Sequence, residues 1–294
     1  MSINLPTHYV QQYSSNVQLL LQQKGSKLRS RVMTGTHVGK QASPVDQFGA
    51  VSAQAVTGRF QAMPRVDAAA DRRWVFPVDY DLPQLIDNFD KLRLLTDPKS
   101  SYVTNAVYGM GRAMDDEIIT AFFGDAKTGE TGSTTTSLPG GQSVDVAFGA
   151  AGEVGLTVKK LREAKRILMA NEVDLEGDPL TCVVTAKQHD DLLAEAQVVS
   201  TDFNDKPVLV EGKVVRFLGI DIVHCERLQL EATDDRRIPV FAKSGMYLGI
   251  WNDIETSVDQ RNDLRSKPWQ VYAIGTFGAT RLEEGKVVEI ECDE

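Results

Sequence analysis

Apolar positions change their spacing several times along this chain, and each change predicts a different element. From Asp97 to Gly124, DPKSSYVTNAVYGMGRAMDDEIITAFFG sets Val103, Val107, Met110, Met114, Ile118 and Phe122 at steps of four, three, four, four and four, the stripe of a long one-sided helix. Asp97 before Pro98 supplies a start and Gly124 a stop. The methionines of the stripe read as core packing, not as a ligand set. Upstream the period is two. VTGRFQAM, a tip PRVDAAAD and RRWVFPVD predict a hairpin with arms of about eight residues, reaching about 25 Å from its base. An isolated two-stranded ribbon is marginal in water, so this one needs a surface to lie on.

At the start of the chain, Val10, Tyr13, Val17 and Leu20 recur at spacings of three and four within residues 9–23, a short amphipathic helix. Residues 24–58, rich in Gly, Ser and Thr, follow without sustained periodicity. Residues 124–145 read as an exposed loop or junction. Beyond them Thr157 caps VKKLREAKRILMAN, TCVVT reads as a buried strand, and Thr185 caps AKQHDDLLAEAQVV. PVLVEGKVVRFLGIDIVHC reads as strands about a Glu211-Gly212 turn. This predicts an α/β unit over residues 146–245. MYLGIW, IETSVDQR, WQVYAIGTFGATRL and KVVEIEC predict antiparallel sheet to the end.

Charge divides the chain. Its 294 residues carry a net charge of −9, yet Lys24, Lys27, Arg29, Arg31 and Lys40 all precede the first acidic residue, Asp46. A basic arm therefore leads an acidic body. It is either a solvated tail or an arm laid on a neighbouring acidic subunit or on nucleic acid. No apolar run is long enough to span a membrane, and the first residues lack the order of a signal peptide, which predicts a cytosolic chain.

Catalytic motifs are missing. Cys182, Cys225 and Cys292 form no CxxC, and His8, His37, His189 and His224 fall in no ligand motif, so the cysteines read as buried thiols and no metal or other cofactor is expected. GDAKTGETG lacks phosphate-loop spacing and follows a helix, and no GxSxG or GxGxxG occurs. Gly109 and Gly111 lie inside the predicted helix, where they allow close packing. Asp115, Asp116 and Glu117, like Asp190 with Asp191 and Asp234 with Asp235, are neighbours that point apart on a helix or turn, and they read as solvated faces. What remains is the chemistry of surfaces. Arg59, Arg65, Arg72 and Arg73 stand among Asp67, Asp71, Asp79 and Asp81, a pattern suited to ion pairs across a subunit boundary or to ordinary solubilising charge. Trp74 and Phe76 read as interface anchors that a ribbon cannot bury by itself.

The order of these segments, with TGRFQ, RRWVFPVDYD, LIDNFDKLRLLTDPKSSYV, GRAMDDEIITAFFGDAKTG and FLGIDIV, resembles the major capsid protein of tailed phages, with the Hong Kong 97-type fold. The resemblance covers nearly the whole chain. It implies an α+β fold divided into an N-arm (1–45), an extended E-loop hairpin (46–90), a first peripheral part with the spine helix (91–145), an axial domain (146–245) and returning peripheral strands (246–294). It implies self-assembly into hexamers and pentamers of an icosahedral shell around double-stranded DNA, built in the host cytoplasm. Arg59, Phe60, Arg65, Arg72, Arg73, Trp74 and Phe76 would make E-loop contacts between subunits. Implied partners are further copies, a portal protein, a separate scaffolding protein, a decoration protein and packaged DNA held by weak non-specific contact; no membrane is involved. Some members join an E-loop lysine to a neighbour's asparagine, but residues 41–90 contain no lysine, so no such crosslink is expected. An encapsulin-like nanocompartment shares the fold and is the nearest alternative; an α/β enzyme with an unusual site and a minor virion protein such as a decoration subunit are more distant ones.

Overall fold

The computed structural model describes residues 20–39, 43–56, 58–59, 65–87, 99–195, 214–230 and 235–294. The helix expected over residues 9–19, the Asp97-Pro98 cap, Lys40, Phe60 and the Glu211-Gly212 turn lie outside them; residues 20–23, expected to end that helix, are not helical.

Helix α1 (Lys99–Phe123) buries Met110, Met114, Ile118 and Phe122, with Val103 and Val107 half-buried. That face packs on β13 (Trp269–Arg281), the inner strand of a sheet ordered β1-β12-β13-β4, which adds β1 (Met33–Thr36), β12 (Met246–Gln260) and β4 (Val78–Ile86). MYLGIW and IETSVDQR, read from sequence as two strands, are one strand. Register shifts on either side of Asn252 absorb the break in alternation. The first five residues of β12 are buried and most of the others are not, so the strand starts in the core and runs out beyond it.

The α/β unit is a six-stranded sheet ordered β7-β14-β11-β8-β10-β9. Its strands are β7 (Ser143–Val144), β8 (Leu180–Val184), β9 (Arg216–Phe217), β10 (Ile220–His224), β11 (Asp235–Ala242) and β14 (Val287–Asp293). All five residues of β8 are buried, as an inner strand covered on both faces requires. Helix α2 (Val158–Ala170) starts at Thr157, whose side chain accepts from Lys160 N, and buries Val158, Leu161, Ala164 and Leu168. Helix α3 (Ala186–Ala194) starts with a capping box of Thr185 and Gln188. β14 pairs with β11 and β7, not with β12 or β13, so this last strand joins the six-stranded sheet. Val287, Val288, Ile290 and Cys292 are all fully buried, and a strand buried on both faces belongs inside a covered sheet.

A third, smaller sheet is ordered β2-β3-β5-β6, from β2 (Ser43–Phe48), β3 (Ala70–Val75), β5 (Ala126–Thr128) and β6 (Thr134–Thr136). The residues expected to form only a loop after α1 thus contribute two strands, with β-branched Thr134, Thr135 and Thr136 paired across to residues 126–128. One contiguous apolar core joins α1 to both larger sheets.

Candidate assembly surfaces

The hairpin is real but starts earlier than the alternation suggested. Its arms are β2 and β3, with Ser43 opposite Val75 and Phe48 opposite Ala70. Of the first arm expected at 56–63, residues 56, 58 and 59 are not in a strand and Val56 and Arg59 are exposed, while residues 57 and 60–63 lie outside the described residues. Proline accounts for part of the shift. Pro44 sits on the edge strand β2, where a missing N–H is tolerated, and Pro77 separates β3 from β4, which turns away to pair with β13.

The root of the hairpin is bound to its own subunit, through two of the residues expected at a subunit boundary, Arg73 and Trp74. Arg73 is buried, donating Nε–H to Leu282 O at 2.9 Å and Nη2–H to Glu284 Oε2 at 2.6 Å. Trp74 donates Nε1–H to Gly129 O at 2.7 Å and lies on Gly132. A Cβ at Gly132, whose φ is +71°, would stand 2.9 Å from Trp74 Cγ, so a side chain there is excluded twice over. Val75 packs with Tyr247 and Leu282. Arg72 pairs with Asp46 across the hairpin at 2.5 Å and Arg65 with Asp67 at 2.9 Å; these pairs lie on the surface and contribute little. Arg59 is exposed, and Phe76 remains 45% exposed. Past the root the loop presents Phe48, Val51, Val56 and Val66 to solvent.

The basic arm is also held by its own subunit where it is described. Leu28 and Val32 are buried in the main core, and β1 pairs in parallel with β12. Arg29 makes a two-pronged pair with Asp253 at 2.9 and 2.6 Å, Arg31 pairs with Asp221 at 2.6 Å, and Lys27 donates Nζ–H to His224 O at 2.6 Å. Only Lys24 of these is left exposed.

Sequence reasoning missed the residues that receive the arm. Asp115, expected on a solvated face, is fully buried and accepts from Gln23 Nε2 and Ser26 Oγ at 2.5 Å each, Lys27 N at 2.9 Å and Leu28 N at 3.1 Å. Asp116 pairs with Arg227, beyond β10. Glu117 accepts from Tyr80 Oη at 3.0 Å; burial raises the Glu117 carboxyl, and burial with the Glu117 charge pushes the Tyr80 phenol up to about 12. One turn of α1 thus contacts the arm, the six-stranded unit and β4. The signal was available in three consecutive carboxylates, which face three directions; their partners were not.

At the end of β1, His37 accepts or donates to Tyr247 Oη at 2.9 Å and lies 4.8 Å from the Trp251 ring. Burial lowers its pKa, so its packing contributes stability above the ordinary value of about 6.5 and loses it as pH falls below. Tryptophan fluorescence is expected to change with a midpoint below about 6.5, and a His37→Gln variant should lack the transition. A transition of equal size in that variant would assign it elsewhere.

Among the described residues no group of three or more His, Cys, Asp or Glu is placed to hold a metal ion, and no helix is long and apolar enough to cross a membrane. A family model described as phage capsid protein matches residues 5–294. No curated protein matches the chain. Among solved structures it is similar to the capsid of cyanophage P-SCSP1u, with a TM-score of 0.76 at 15% identity, covering 97% of this chain and 93% of that one. It is similar to the capsid of Ralstonia phage GP4, TM-score 0.72 at 10% identity over 96% and 94%. The capsid of cyanophage Pam1 matches with a TM-score of 0.69 at 12% identity over 96% of each.

Proposed function

This chain belongs to the phage capsid protein family and is a major shell protein of the virion with the Hong Kong 97-type fold, and we propose that it closes an icosahedral shell around double-stranded DNA as hexamers and pentamers. Copies of itself are its main partners. The reading is carried by one observation beyond the family: the hairpin's root is fixed by buried contacts to its own subunit, while its loop holds Phe48, Val51, Val56 and Val66 in solvent. A rigidly aimed apolar loop fits a neighbouring copy. The six-stranded unit would face the capsomer centre. Assembly would take place in the host cytoplasm, with a portal protein, a separate scaffolding protein and a decoration protein as further partners.

The role is structural. Contact with DNA would be weak and non-specific, since Lys27, Arg29 and Arg31 already contact oxygens of the same subunit and the chain's net charge is −9; tight duplex binding with a steep salt dependence would contradict this. Electron microscopy of the expressed protein, with its scaffolding protein supplied, is expected to show closed shells. Denaturing gels of those shells should give monomers only, because residues 41–90 have no lysine. A protein that stays monomeric at high concentration would overturn the assembly reading, and a ladder of covalent multimers would overturn the second expectation.

A further inference from the structure

We propose that Asp115 is the residue that positions the N-terminal arm, docking residues 23–36 on their own subunit before any neighbour is present. The proposal rests on the shell-subunit reading, and adds to it which part of the arm is fixed.

Each oxygen of Asp115 serves one side chain and one backbone group. Oδ2 takes Gln23 Nε2 and Lys27 N; Oδ1 takes Ser26 Oγ and Leu28 N. The two backbone donors lead into a single 3-10 turn, Arg29–Arg31, whose first N–H, that of Arg29, is taken by Ser26 Oγ at 3.0 Å, the hydroxyl that itself donates to Asp115. One turn earlier on α1, Gly111 allows the chain to come close: a Cβ there would lie 2.6 Å from Gly25 C and Ser26 N. Arg112 adds a bond from Nη1–H to Gln22 Oε1 at 2.8 Å. Lifting this segment would take all four donors from the Asp115 carboxylate, expose Leu28 and Val32, and open the β12 edge. All three losses arise within one subunit. The docked form is therefore the ground state of a lone subunit. Docking stops abruptly, because Leu20 and Leu21 are 89% and 105% exposed.

Amide hydrogen exchange on the unassembled full chain tests this directly. Residues 27–36 should be protected. Asp115→Asn turns an amide N–H2 towards donors and should speed their exchange by roughly tenfold or more while protection in β8 and β11 stays unchanged. Gly111→Ala, which keeps the carboxylate and favours the helix, should do the same through displacement of residues 25 and 26. A separate readout asks which subunit the arm lies on. With Arg29→Cys and Asp253→Cys in one chain, a short bis-maleimide should close an intrachain link; with the two substitutions in separate, co-assembled chains it should give no dimer. Cys182, Cys225 and Cys292 are buried and should not compete. Wild-type residues 27–36 exchanging like a free peptide, unaltered exchange in both variants, or dimers from separate chains would overturn the proposal. Wild-type chains that form no shells would count against the shell reading instead, since exchange is read on the unassembled subunit.

Discussion

Glu284→Ala is expected to destabilise the unassembled subunit by about 3–5 kcal/mol, the range for breaking a buried ion pair, and Arg73→Ala by less. The asymmetry comes from Arg281. It is fully buried and donates to Phe122 O and Gly124 O at 2.5 Å and to Thr136 O at 3.0 Å, which satisfies carbonyls where α1 ends. Burial lowers its pKa, the Glu284 charge opposes that shift and Arg73 reinforces it. Removing Glu284 leaves two buried guanidiniums of like charge without the carboxylate that acts most strongly on Arg281, with Asp125 and Glu289 acting on it less. Removing Arg73 leaves Glu284 with Arg281. The loss should therefore reach both the hairpin root and the end of α1. Thermal unfolding followed by circular dichroism orders the variants; equal midpoints for both variants and wild type, or a larger drop for Arg73→Ala, would mean that these charges are effectively solvated.

The same cluster shows where the sequence was legible and where it stopped. Periodicity is a local property, and it located α1, α2, α3 and β13, because one buried face dictates the spacing of their apolar residues, while β8 showed as a short continuous apolar run. It could not say which strand pairs with which. β14 looked like a neighbour of β13 in sequence, yet its burial on both faces placed it beside β11. The hairpin arm was misplaced for a related reason: alternation is local and cannot name a strand's partner, and it is Ser43–Phe48 that pairs with β3. For the surfaces, residue type was a poor guide to location. Arginines at 29, 31 and 73 and the tryptophan at 74 suit a contact with another molecule, and each has its partner within the subunit at a separation in sequence that no motif records. Asp115 was missed because a carboxylate's environment depends on what folds over it, here a segment 87 to 92 residues away.

What no contact within the subunit explains is the hairpin loop, and its substitution should have the largest effect on assembly. Phe48 and Val56 are 79% and 90% exposed, so Phe48→Ser with Val56→Ser removes almost nothing from the folded subunit, and its thermal midpoint should stay that of wild type. If a neighbour covers the loop, each side chain contributes about 1.5–3 kcal/mol to that interface. Losing both raises the concentration needed for assembly roughly a hundredfold or more, at tenfold for each 1.4 kcal/mol. Light scattering and sedimentation should then show soluble subunits or isolated capsomers where wild type gives shells. Because the root contacts of Arg73 and Trp74 are untouched, the hairpin still points the same way in this variant, and the defect isolates the apolar surface itself. Shells forming at the wild-type threshold would mean that the loop stays in solvent after assembly; a lowered thermal midpoint would mean that Phe48 and Val56 pack within the subunit after all.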